Sequence, residues 1–270
     1  MRAAAVLRPV RAQLLVLRRP AVLGSLLGLL PALAVVATAI SYATADAVAV
    51  LPEPGERPAL LLSALARPDG MTAGFAATSS LLGMLVLVLF LALTAGEHGR
   101  GTLRMLLTRE PRRLRLVGGQ VLAVLLLTWA ALILALLASI AAAFLAAGLR
   151  DVPTEAWTSA DALRAAGTDY LRAAGAAAGY GLVGAALGTL VRSVPVALGI
   201  GVTWFGPLEH LLQEAWTGAS RWFPGLLMES VSAGGTTASG LARSATVGAA
   251  LVAGIVLVAA VDLRRRDVLS

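Results

Sequence analysis

Few residues of this chain have side chains suited to enzymatic chemistry. The sequence of 270 residues contains two histidines, no cysteine and no lysine. Without cysteine there is no thiolate nucleophile and no cysteine-based metal site. His98 and His210 are the only histidines, which excludes a histidine-rich metal site and a metalloprotease helix with paired histidines. No Gly-x-Ser-x-Gly elbow of the serine hydrolases occurs either. We therefore expect no catalytic centre, and no metal or cofactor bound by this chain.

Two features of the sequence argue against nucleotide binding. A P-loop needs a lysine to reach the terminal phosphates, so the chain cannot contain that type of ATP site. Residues 179–184 match the dinucleotide pattern GxGxxG, but they lie in an apolar segment, not between a strand and a helix N-terminus. Helix packing is the better interpretation, because Gly175 with Gly179, and Gly184 with Gly188, are small-residue pairs that permit close backbone approach. Whether that contact lies within one chain or across a dimer stays open.

A candidate outer polar site consists of Glu209, His210 and Glu214, near the end of an apolar segment. An ionisable residue inside a membrane usually has a functional role. The same three residues would merely be solvated if they lay in the membrane interface. Both interpretations stay open from the sequence.

The elements that must position these residues are apolar helices. The chain is 58% hydrophobic and 14% charged, whereas soluble chains are about 45–50% apolar and about 25% charged. A span needs roughly 20 apolar residues. Six segments are predicted to cross the membrane: about 21–43, 74–95, 117–148, 171–191, 194–212 and 242–261. The sequence therefore predicts an all-α membrane protein with six transmembrane helices.

Two of these segments have unusual features. Segment 117–148 would form a helix of about 48 Å against a hydrocarbon core of about 30 Å, so it must tilt or project. Segment 194–212 is interrupted by Gly206 and Pro207. After it, Trp216, Trp222 and Phe223 suit a membrane interface, and residues 221–230 could form a short helix in the outer leaflet.

The arginine distribution predicts the orientation. Arginines precede the first segment, crowd the connection between the second and third, and follow the sixth, whereas the opposite connections are acidic. Arginine excess marks the cytoplasmic side, so both termini are predicted to be cytoplasmic. Residues 1–20 are interpreted as an interfacial helix. A plain juxtamembrane extension is the alternative, and a cleaved signal peptide fits less well because the following apolar run exceeds about 7–15 residues.

The cationic connection at residues 96–116 carries the most specific pattern. By charge alone, Glu97 could equally pair with Arg100 and Arg104 or contact a cytoplasmic partner. The pattern Glu97-x-x-x-Gly101-Thr102-Leu103-x-x-Leu106-Leu107-x-Arg109, followed by Arg113, resembles the ABC-2 family of ABC-transporter permease subunits. The six spans, the interfacial helix and the aromatic segment before the last span extend the resemblance over the chain. Two departures are Gln120, where many relatives have Lys, and Pro111, one place later than the usual Pro.

The resemblance implies a coupling helix that docks on a separate ATPase subunit. Leu103, Leu106 and Leu107 would offer an apolar face, and Arg104 and Arg109 would pair with acidic groups on the rim. The residues assigned to this contact are Glu97, Arg100, Gly101, Thr102, Leu103, Arg104, Leu106, Leu107, Arg109 and Arg113.

The resemblance also implies the assembly. Residues 1–20 would be the interfacial helix and residues 21–270 a single ABC-2-type transmembrane domain. Two ATPase copies would bind ATP and Mg²⁺, and a second permease chain would complete a homodimer or heterodimer. We expect an exporter of an amphipathic or hydrophobic substrate in the bacterial cytoplasmic membrane.

Three other functional classes of membrane protein fit the sequence less well. An importer permease would carry a Glu-Ala-Ala…Gly loop motif, which is not found. A secondary carrier often shows internal repeats and midplane charges, and neither is evident. A scaffold or sensor would be expected to have larger outer loops than these. The net charge of +7 does not indicate nucleic acid, because the arginines concentrate in the predicted cytoplasmic connections.

Overall fold

The computed structural model describes residues 23–45, 61–99, 113–216 and 218–265. Most of these residues are helical, and no strand occurs among them. The helices are α1 Leu30–Ala43, α2 Leu62–Leu65, α3 Ala73–Gly99, α4 Arg113–Leu149, α5 Ala160–Val191, α6 Val194–Thr203, α7 Glu209–Ala215, α8 Pro224–Ser232 and α9 Leu241–Arg265. A π-helical turn, Gly24–Leu29, leads into α1, and a second, Trp204–Leu208, joins α6 to α7.

Five helical stretches are long and apolar enough to cross a membrane. They are Leu26–Ala43, Gly70–Gly96, Leu116–Leu149, Ala160–Val191 and Leu241–Arg265. The expectation of an all-α, multi-pass membrane protein is thereby confirmed at that level. The remaining predicted segment, 194–212, is helical but is not one of the five, so the count of six stays a prediction.

A wide turn accommodates the proline in this remaining segment. Pro207 lies in the π-helical turn Trp204–Leu208, between α6 and α7. Proline has no N–H and clashes with the preceding turn of an α-helix. In the wider turn, the Glu209 N–H reaches back to the Trp204 carbonyl. The predicted interruption at Gly206 and Pro207 is thus a change of helix type that keeps the chain helical.

The α5 helix begins earlier than hydropathy indicates. The sequence places the fourth segment at about 171–191, but the helix starts at Ala160. Ser159 caps it, with its hydroxyl oxygen accepting the Ala162 N–H at 3.2 Å, and the alanine-rich sequence that follows favours helix. Asp161 and Asp169 fall in one of the acidic connections predicted from the sequence, between segments 117–148 and 171–191, but both lie in the helix. Asp169 accepts a hydrogen bond from the Thr72 hydroxyl at 2.6 Å.

The α3–α5 pair forms the centre of the molecule, with the most extensive contact between any two helices of the described chain. The two helices run in the same direction, because Gly83 meets Tyr180 and Leu87 meets Gly184 further along both. On one side, α1 and α4 pack against this pair around Phe75. On the other side, α6, α8 and α9 complete a second apolar cluster.

An aromatic cluster closes the end of the molecule at the beginning of α5. The Trp157 ring is edge-on to Phe144 at 4.9 Å and to Tyr42 at 6.5 Å between centroids. Its indole N–H donates to the Leu65 carbonyl at 3.1 Å. We call this end the Trp157 end, and the opposite end, where α5 stops at Arg192 in a left-handed cap, the Arg192 end.

Candidate functional site

The predicted ATPase-contact residues are mostly outside the described residues. This applies to Arg100, Gly101, Thr102, Leu103, Arg104, Leu106, Leu107 and Arg109, and to the predicted interfacial helix at residues 1–20. The Glu97 backbone lies in the last turn of α3, and Arg113 begins α4. The coupling helix between them stays a prediction.

Glu209, from the predicted outer polar site, is fully buried. It begins α7, directly after the π-helical turn. Its Oε2 accepts the backbone N–H of Leu226 at 2.9 Å. Leu226 lies in the first turn of α8, where backbone N–H groups have no partner within the helix and the helix dipole favours negative charge. The Glu209 carboxylate therefore caps α8 across a separation of 17 residues in the chain.

His210 makes a second link to α8. Its Nδ1 lies 2.7 Å from the Gly206 carbonyl oxygen, and its Nε2 lies 3.1 Å from Glu229 Oε2. A carbonyl oxygen only accepts, so the ring donates from Nδ1. A neutral ring then has no hydrogen on Nε2, and the contact with Glu229 needs one further proton on either partner. Both side chains are exposed, 52% and 41%, which limits the strength of this pair.

The structure separates Glu214 from this site. Glu214 is exposed and makes no hydrogen bond or ion pair with the described residues. The sequence analysis did not include Glu229, which the fold brings beside His210. We use the name polar cluster for Glu209, His210 and Glu229 together with the first turn of α8.

Tyr180 is a further contact residue that the sequence analysis missed. It is buried, and its hydroxyl donates to the Gly225 carbonyl at 3.1 Å. Its ring is edge-on to Phe205, 6.2 Å between centroids. A tyrosine within an alanine- and glycine-rich helix is itself a signal, because a buried phenol needs a hydrogen-bond partner. Tyr180 thus connects α5 to α8, as Glu209 connects α7 to α8.

The four glycines predicted to pack helices face different neighbours. A side chain at Gly184 would collide with the Leu87 carbonyl on α3, and one at Gly188 would lie 2.7 Å from the Leu91 carbonyl oxygen. At Gly179 it would meet the Met228 sulfur on α8. Gly175 is exposed and has no neighbour within 4 Å of such a side chain.

An apolar cavity of about 600 Å³ lies beside the polar cluster. It is bounded by α5, α6, α8 and α9, and its wall includes Trp204, Phe205 and Pro224. The described residues contain no group of three or more His, Asp or Glu able to hold a metal ion. The site can therefore give a ligand apolar contact, with one buried carboxylate and one exposed His–Glu pair nearby.

No family model, curated protein or solved structure matches the chain.

Proposed function

We propose that this chain is the transmembrane permease subunit of an ATP-driven ABC exporter with six spans and both termini in the cytoplasm. The observation that carries the proposal is the connection between α3 and α4. Its Gly-Thr-Leu sequence, paired leucines and arginines, with Glu97 before them, resemble the coupling loop of ABC-2 permeases. The supporting architecture is a set of apolar helices long enough to span a membrane.

The helix contacts suit the transmission of a motion from that connection. The proposed coupling helix follows α3 directly, and α3 contacts α5 over much of its length without bulky side chains at Gly184 and Gly188. Closely packed helices move together as rigid elements. The α5 helix in turn contacts α8 through Tyr180 and Gly179. The movement produced when two ATPase subunits close on ATP and Mg²⁺ would thus be transmitted through α3 and α5 to the polar cluster.

The proposed substrate is amphipathic or hydrophobic. The 600 Å³ cavity offers apolar walls, and pockets of about 300–1,000 Å³ hold drug-sized ligands. The proposed assembly contains two ATPase copies and a second permease chain, as a homodimer or heterodimer, in the bacterial cytoplasmic membrane.

Co-purification tests the proposal directly. A tagged chain is extracted from its native membranes in mild detergent, and the proteins bound to it are identified. We expect an ATPase with Walker A and ABC signature sequences, which is lost with Leu106→Asp because a charge would be buried in the contact. Leu163→Asp is the matched control, because Leu163 is 70% exposed near the start of α5.

A stand-alone secondary carrier is the second candidate, because such carriers use interrupted helices and Glu209 is buried beside the interrupted α6–α7 segment. The energy source separates the two functions. Transport that stops on ATP depletion supports the exporter. A chain that purifies alone, with transport that survives ATP depletion and stops when the proton gradient collapses, would establish the carrier instead.

A further inference from the structure

A second apolar groove, separate from the cavity beside the polar cluster, lies between α4, α5 and α9 toward the Arg192 end. Its volume is about 340 Å³. Aliphatic side chains and small residues line it on all three helices, and Thr189 is the polar residue among them. The Thr189 hydroxyl donates to the Ala185 carbonyl at 2.8 Å within its own helix. The groove therefore offers an occupant hydrocarbon contact and no free hydrogen-bond donor.

The walls of the groove indicate what can occupy it. An acyl chain needs only the hydrocarbon contact that these side chains offer. Gly118 lies on the wall of the groove and leaves space that a side chain would fill.

The Arg192 end of the groove is basic. Arg192 is the left-handed cap of α5, three residues after Thr189. On α9, Arg264 follows Ala260 by one helical turn, and Arg265 is also exposed. Asp262 is the acidic residue within the described part of this end, with its Oδ2 at 3.9 Å from Arg192 Nη2. The Arg192 Nε is buried without a hydrogen-bond partner among the described residues. Among the residues that the structure describes, three arginines against one aspartate leave a net positive charge at this end.

We propose that this groove binds an anionic phospholipid, with one acyl chain between α4, α5 and α9 and the phosphate among Arg192, Arg264 and Arg265. The arginine asymmetry assigns this end to the cytoplasm, and the cytoplasmic leaflet is rich in anionic lipids. Each arginine near the membrane surface is worth about fivefold in affinity for such lipids. The site does not depend on the proposed ATPase, because none of its residues lies in the connection between α3 and α4.

Native mass spectrometry of the purified full chain tests the site. The chain is reconstituted in phosphatidylcholine vesicles with or without phosphatidylglycerol, released into detergent, and examined for retained lipid. We expect retained phosphatidylglycerol and no retained phosphatidylcholine. Arg264→Gln with Arg265→Gln should reduce retention by roughly 25-fold. Arg67→Gln with Arg164→Gln, exposed arginines elsewhere on the chain, should leave it unchanged.

Filling the groove gives an independent readout. Gly118→Leu should reduce retention roughly tenfold, whereas Gly148→Leu should leave it unchanged. Both glycines are exposed on α4 with nothing within 4 Å of an added side chain, so folding should survive both changes, which a thermal melt verifies. Equal retention of the two lipids, or equal retention by the two glycine variants, would overturn the proposal. So would a loss of dimer with Gly118→Leu, which would assign the groove to a second copy.

Discussion

Glu209 links the interrupted α6–α7 segment to the short helix α8. An uncompensated charge in an apolar environment is costly, and here the first turn of α8 supplies a hydrogen-bond donor and a favourable dipole. The close approach also depends on Gly225, because a side chain there would collide with the Glu209 carboxylate. The polar cluster is thus held by one buried acid and one glycine, and the exposed His210–Glu229 pair adds a weaker contact.

Removing this acid should loosen α8. We expect Glu209→Ala to lower the free energy of unfolding by about 1–3 kcal/mol, because the Leu226 N–H loses its acceptor in a buried site. Chemical denaturation in detergent micelles, followed by tryptophan fluorescence, measures this. Glu214→Ala, at an exposed glutamate on the same helix, should stay within about 0.5 kcal/mol of the unchanged chain. Equal effects of the two substitutions would contradict a capping role.

The α3–α5 pair depends on residues without side chains. The α5 positions that meet the α3 backbone are Gly184 and Gly188, four residues apart on one helix face. Small residues allow such close contact where lipid supplies no hydrophobic force between helices. Thr38 and Ser139 join α1 to α4 in a related way, with a hydrogen bond of 2.7 Å between their hydroxyls.

A bulky residue at this contact should push α5 away from α3. Gly188→Leu is expected to destabilise the fold by about 1–3 kcal/mol or more, because the new side chain meets backbone atoms that cannot move easily. Gly175→Leu is the matched control on the same helix, since nothing lies within 4 Å of a side chain there. Thermal unfolding in detergent compares the two. If Gly175→Leu were the more damaging, the α3–α5 contact would be wrong.

The path of the chain across the bilayer depends on residues 194–215. If this stretch crosses, there are six spans and both termini lie on one side. The end of α9 lies beside the end of α5, with Arg192 Nη2 3.9 Å from Asp262 Oδ2, so the chain between these two ends must pass to the Trp157 end and back. Residues 194–215 are nevertheless not among the five candidate spans, so the assignment of six spans with a cytoplasmic C-terminus rests on the positive-inside pattern.

Cysteine labelling tests the topology, because the chain has no cysteine of its own. We expect Ser270→Cys to react with a membrane-impermeant maleimide only after the membrane is permeabilised. Ser63→Cys, at an exposed position in α2, should react in intact cells and serves as the control. Labelling of Ser270→Cys in intact cells would contradict the predicted topology of six spans with both termini in the cytoplasm.

Local composition is enough to predict the helices, because a bilayer requires apolar side chains and internally bonded backbones wherever the chain crosses. Hydropathy therefore located the stretches that became α1, α3, α4 and α9, and the residue types alone limited the chemistry. Hydropathy misplaced the start of α5, because Ser159 and an alanine-rich sequence extend this helix without being strongly apolar. The specific pattern of the ABC-2 resemblance runs from Glu97 to Arg113, and its residues 100–112 lie outside the described structure.

Only the tertiary structure decided which residues meet. Glu209 and Leu226 are 17 residues apart, and Tyr180 and Gly225 are 45 apart. No local pattern encodes such pairs, because they depend on how α5, α7 and α8 pack. Packing also turned Gly184 and Gly188 toward α3, left Gly175 exposed, and created the groove between α4, α5 and α9. Hydropathy determines that a helix enters the membrane, and packing determines which of its faces meets another helix, a ligand or lipid.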